Sequence, residues 1–136
     1  MTEPQVYIQH PKSVALEILS APDQQSNSQV LPLGLICHQN EAQPVGSQVV
    51  LKHPALPADQ PIEATVVWCR RQNTGYQIAL GFLSEEELYR VRMLEQLCHI
   101  QLYQKEMKQE GRKLSAEGAA VEWISKYAAH FPTDGL

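Results

Sequence analysis

The sequence predicts a mainly β protein: a small antiparallel β-barrel of five to six strands, followed by a long α-helix and a second, C-terminal α-helix. Three observations carry this. Apolar residues recur at every second position between turn signals as far as about residue 83. A capping box then opens a stretch of helical periodicity. Charge density rises at the same point: residues 1–83 carry four basic and six acidic side chains, residues 84–136 seven and nine, as expected for exposed helices. The boundary divides the chain into a barrel, 1–83, and a helical extension, 84–136, packed on the barrel or on a partner.

The first strand is expected at 13–20, where Val14, Leu16 and Ile18 alternate with Ala15, Glu17 and Leu19. Over 30–38, Leu31, Leu33, Leu35 and Cys37 form one face, with Pro32 and Gly34 on the other. Proline cannot donate to a ladder, so an edge or a bend is expected there. Gly46-Ser47 leads into a short strand at 48–52. Ile62, Ala64, Val66 and Trp68 share a face, the turn residues QNTG follow, and Tyr76, Ile78, Leu80 and Phe82 share the next face. That pattern is a hairpin. The segments 23–29 and 53–61 read as surface loops. Five strands without an intervening helix favour a barrel or sandwich.

Ser84-Glu85-Glu86-Glu87 is the capping box, its acidic first turn suited to the positive end of the helix dipole. No Pro or Gly interrupts the helix from 85 to 110, and Gly111 stops it. The second helix spans 116–130, with Ala120, Trp123, Ile124 and Tyr127 on one stripe and Pro132 beyond its end.

No apolar run approaches the roughly 18–20 residues of a membrane span, and the N-terminus has neither a basic nor an apolar leader region. Membrane insertion is not expected, and the expected location is cytoplasmic. Cys37, Cys69 and Cys98 are odd in number and widely spaced, which fits a reducing compartment. The net charge of -4 and the lack of a basic stripe argue against nucleic-acid polymers.

Catalytic motifs are absent: there is no H-E-x-x-H, no G-x-S-x-G and no Gly-rich phosphate loop. No metal site is expected either. Cys37-His38 and Cys98-His99 are adjacent pairs whose members diverge, to opposite faces in a strand and by about 100° in a helix.

The order VALEIL, LPLGLICH, PVGSQVVLKHP, IEATVVWCRR, YQIALGFLSEEE and then helix, over residues 8 to 103, resembles the PilZ domain family. The resemblance implies a β-barrel and a place in bacterial motility, pilus or second-messenger signalling. Members of that family that bind cyclic di-GMP carry R-x-x-x-R before the first core strand and [DN]-x-S-x-x-G leading into the second. Here Ile8 and Lys12 fall at the arginine positions, while Gln29, Leu31 and Gly34 stand for Asp/Asn, Ser and Gly. The nucleotide site is therefore degenerate. Losing two or three charge-assisted bonds of about 1.5–3 kcal/mol each weakens binding by several powers of ten. A non-enzymatic adaptor is expected, without cofactor. The alternative is a cyclic di-GMP receptor drawing its cations from Lys12, Arg70 and Arg71 beside Gly34.

The long helix carries two apolar stripes. Leu88, Val91, Leu94, Leu97 and Cys98 form one, expected to pack on the barrel. Tyr89, Met93, Ile100, Tyr103 and Met107 form another, with spacings of seven. Either the C-terminal helix covers this second stripe through Trp123, Ile124 and Tyr127, or the stripe is a homodimer seam or a docking face for another protein.

Overall fold

The computed structural model describes residues 6–20 and 30–131. Its strands are β1 (Val6–Gln9), β2 (Glu17–Ser20), β3 (Leu33–Gln39), β4 (Gln48–Lys52), β5 (Ile62–Arg71) and β6 (Tyr76–Gly81). The helices are α1 (Glu85–Gln109) and α2 (Ala116–Tyr127), with a 3-10 turn at Ala128–His130. The loop expected at 23–29 lies outside the described residues.

The strands form one six-stranded sheet in the order β1-β3-β6-β5-β4-β2, antiparallel except for the parallel β1–β3 pair. The expected barrel closure is not found: among the described residues β1 and β2 are the two edges of an open sheet. Part of the reason lies in residues 10–16. Pro11 has no N–H to give, and Val14 N–H bonds back to the Pro11 carbonyl at 3.1 Å. Only Glu17–Ser20 of the strand expected at 13–20 remains extended. A side chain spans the gap to β3, Gln39 Nε2 donating to the Leu16 carbonyl at 2.9 Å.

β3 is an interior strand, so of the edge or bend expected at Pro32 and Gly34 the edge is not found and the bend is, at Pro32. Pro32 sits just before it and its carbonyl accepts from Val6 N–H at 2.8 Å, which starts the pairing with β1. The β5–β6 hairpin forms as expected, closed by Gln72 N–H to the Gly75 carbonyl at 2.9 Å. Gly75 has φ +86°, and a Cβ there would lie 2.5 Å from the Gln39 carbonyl oxygen, so the turn needs glycine on both counts. One expectation fails inside the hairpin. A bulge between Val66 and Trp68 shifts the register, so Trp68 leaves the core face that Ile62, Ala64 and Val66 share and pairs with Ala79, next to Tyr7 on the other face.

Ser84 caps α1, its hydroxyl accepting from Glu87 N–H at 3.2 Å. Gly111 ends it at φ +89°, with Arg112 N–H closing on the Met107 carbonyl at 2.8 Å. Ser115 caps α2 by accepting from Gly118 N–H at 2.9 Å. Leu88, Val91, Leu94 and Cys98 turn inward and join Ile8, Leu35, Leu51, Ile62, Val66, Ile78, Leu80 and Phe82 in one hydrophobic cluster that continues to Tyr103, Ala119 and Trp123. Among the described residues no helix is long and apolar enough to cross a membrane.

Candidate functional site

Helix geometry explains the fate of the two stripes. α1 has 25 residues and α2 has 12, so at 1.5 Å per residue α2 reaches along only about half of its neighbour. It covers the later turns. Tyr103 is buried, Ile100 and Met107 are half-buried against the core, and Tyr103 meets Tyr127 edge-on at 6.0 Å. The earlier turns stay open: Tyr89 is 61% exposed, Met93 44% and Leu97 47%. Leu97 was expected to pack on the sheet, but it lies a quarter-turn or more from the inward line of Leu88, Val91, Leu94 and Cys98 and joins the outward face instead.

Residues 53–61 form a loop as expected and lie beside that open face. Ala55, Leu56 and Pro57 line, with Tyr89, Met93 and Leu97, a shallow depression of about 220 Å³. Arg90 pins the loop to the helix by donating to the carbonyls of Gln60 and Pro61.

α2 docks through Ala119 and Trp123, while Ile124 and Tyr127, expected on the packing stripe, remain 54% and 47% exposed. Its attachment is fixed by a polar network. Arg112 grips both carboxylate oxygens of Glu122 at 3.0 and 2.7 Å, Tyr103 Oη donates to Glu122 at 3.0 Å, and Lys126 Nζ donates to Tyr103 Oη at 3.1 Å. The hydrogen bond from Arg112 holds the Glu122 carboxyl below its ordinary range. Trp123 and Phe131 flank the His99 ring, and all three, with Tyr7, Leu102 and Tyr103 among others, line a mainly apolar cavity of about 410 Å³ between β1 and the helices.

The cations and the glycine considered for an anion do not form a joint clamp. Arg70 stacks over the Trp68 ring at 4.1 Å, and in the sheet register it opposes Gln77, itself opposite His38. Arg71 is the next residue along the strand, so it points to the opposite face. Lys12 lies on the exposed turn after His10, and burial first, then the charge of Lys12, lowers the His38 pKa. Gly34 is buried in β3 opposite Tyr7.

A cluster that the sequence reading passed over lies beneath α1. His10 Nδ1 is 2.7 Å from Glu95 Oε2, and both residues are buried. His10 Nε2 donates to the Val14 carbonyl at 2.7 Å. Nδ1 and Oε2 therefore share a proton across their short contact. Burial opposes the charged imidazolium, but the hydrogen bond and charge of Glu95 outweigh it, and the His10 pKa is raised. Among the described residues Glu95 Oε1 has no hydrogen-bond partner. The donor atoms of His10, Glu95 and Cys98 lie within 4.8 Å of one another, and Cys98 Sγ is 3.8 Å from His53 Nε2. Burial, then the charge of Glu95, pushes the Cys98 thiol up to about 12. The four residues come from three distant segments. The one local hint was the Glu95-x-x-Cys98 spacing, which sets both on one helix face.

Compared with family models, with curated proteins and with solved structures, the chain finds no match in any of the three.

Proposed function

We propose that the protein is a PilZ-like, non-enzymatic adaptor in bacterial motility, pilus or second-messenger signalling, and that it engages a protein partner through the open face of α1. The observation that carries this is the row Tyr89, Met93, Leu97, exposed at intervals of four residues beside the apolar loop residues Leu56 and Pro57. Large apolar side chains lined up on one helix face, with a groove alongside, suit an apolar helix from another chain. The N-terminal half of α1 thus keeps the docking role considered for the whole second stripe, while its C-terminal half serves α2.

The cyclic di-GMP alternative is weaker. Arg70 and Arg71 diverge, Arg70 is already stacked on Trp68, and Lys12 is a point charge where a guanidinium fork is wanted.

The docking face is tested with the double variant Met93→Glu, Leu97→Glu in sedimentation velocity at rising protein concentration. The wild type is expected to self-associate, a second copy being the one partner present in pure protein, and the variant to stay at monomer mass with an unchanged circular dichroism spectrum. Equal sedimentation of the two would remove self-association from the proposal. Unfolding of the variant would make the row part of the core.

A further inference from the structure

We infer that His10, His53, Glu95 and Cys98 form a binding site for a zinc-class divalent transition-metal ion. Two imidazole nitrogens, a thiol sulfur and a carboxylate oxygen are a donor set suited to Zn²⁺ or Co²⁺, and a poor one for Mg²⁺ or Ca²⁺, which take oxygen ligands. His10, Glu95 and Cys98 already hold their donor atoms within 4.8 Å of one another, and His53, outside that group but beside Cys98, completes the set by a movement of its loop. Tetrahedral coordination with metal–nitrogen and metal–sulfur bonds of about 2.0 and 2.3 Å puts the nitrogen and sulfur about 3.5 Å apart. Cys98 Sγ and His53 Nε2 stand at 3.8 Å. The nitrogen–oxygen edge at such an ion is about 3.3 Å, so His10 Nδ1 and Glu95 Oε2, now 2.7 Å apart, open by about half an ångström as the ion replaces the proton between them.

Two further features point to a ligand here. Glu95 is fully buried, yet among the described residues its Oε1 meets no donor, an arrangement that buried carboxylates avoid because it leaves desolvation uncompensated. His10 is already oriented as metal-binding histidines are: its far nitrogen donates to the Val14 carbonyl, which fixes the ring and presents Nδ1 to the cluster. His53, half-exposed on the loop after β4, stands at the entrance. Coordination displaces the proton shared by His10 and Glu95 and the thiol proton of Cys98, and both pass to solvent. The ion ties three segments together, the turn after β1, the loop after β4 and the middle of α1, so its role is structural.

The test is cobalt titration of the full chain after treatment with a chelator. One equivalent of Co²⁺ is expected to give a thiolate-to-metal charge-transfer band with intense tetrahedral d–d bands, both removed by one equivalent of Zn²⁺. Cys98→Ser should abolish the charge-transfer band and Cys69→Ser should leave it intact. His53→Ala, on the loop and therefore mild for the fold, should weaken binding by roughly tenfold or more. Should Cys98→Ser fail to fold, His53→Ala decides. Absence of the band in the wild type shows a buried ion pair only and overturns the inference, as does a band that survives Cys98→Ser or binding undiminished by His53→Ala.

Discussion

Among the described residues His10 and Glu95 are the buried polar or charged ones, an environment that their types avoid. A carboxylate with no exposed surface is held by one imidazole, and that imidazole by one backbone carbonyl. Removing one partner of such a pair leaves the other buried and uncompensated. Glu95→Ala in the presence of chelator is accordingly expected to cost about 3–5 kcal/mol in urea unfolding, and a cost below about 1 kcal/mol would show that His10 finds other solvation. Trp68 offers a different lesson at the same scale. Strict alternation from Ile62 places it in the core, and a single extra residue at the Val66/Trp68 bulge carries it to the other face, under Arg70. A bulge has no period to read, so nothing in the pattern announced it. Gly75 was readable as a turn residue, but its second constraint, the Gln39 carbonyl oxygen where a Cβ would stand, belongs to tertiary structure. Gly75→Ala is expected to lower stability by more than about 1 kcal/mol in thermal unfolding, and a neutral result would show that the hairpin turn relaxes.

Among the elements, those with local signals were legible. Ser84 and Ser115 cap the helices, Gly111 stops α1, and QNTG turns the last hairpin, each through bonds between near neighbours. β1 was not legible as a strand, because four residues that add in parallel to β3 carry no alternation of their own and end at His10-Pro11. The open sheet follows from the same segment. α2 is the element whose attachment can be tuned by pH. With its carboxyl held low by Arg112, Glu122 contributes to docking at pH values above its ordinary 4.5, and that contribution is lost as pH falls through the depressed native value. The Trp123 indole N–H resonance should therefore shift at acid pH in the wild type while the sheet remains folded, and Glu122→Gln should show the displaced position already at neutral pH. A resonance indifferent to both changes would mean that Trp123 and Ala119 hold α2 without the network. Trp123→Ala itself is expected to cost about 3–5 kcal/mol in the same unfolding assay.

For the whole molecule, the division of α1 between an intramolecular and an open half is the central point. The sequence contains both apolar stripes, yet which half each serves depends on the length of α2 and the tightness of the turn at Gly111, quantities that emerge only when the helices are laid side by side. The buried His10–Glu95–Cys98 cluster, with His53 half-exposed beside Cys98, was equally hidden, since residues 10, 53, 95 and 98 meet only through the fold. The candidate cations, by contrast, were easy to name and are dispersed by the sheet, Arg70 and Arg71 to opposite faces. The proposed adaptor, working through a protein surface, should be indifferent to cyclic di-GMP. The most direct measurement is isothermal titration of the intact protein with cyclic di-GMP at low salt. No saturable heat at high micromolar nucleotide is the predicted result; a saturable isotherm that disappears in Arg70→Ala would contradict the account and make the protein a sensor.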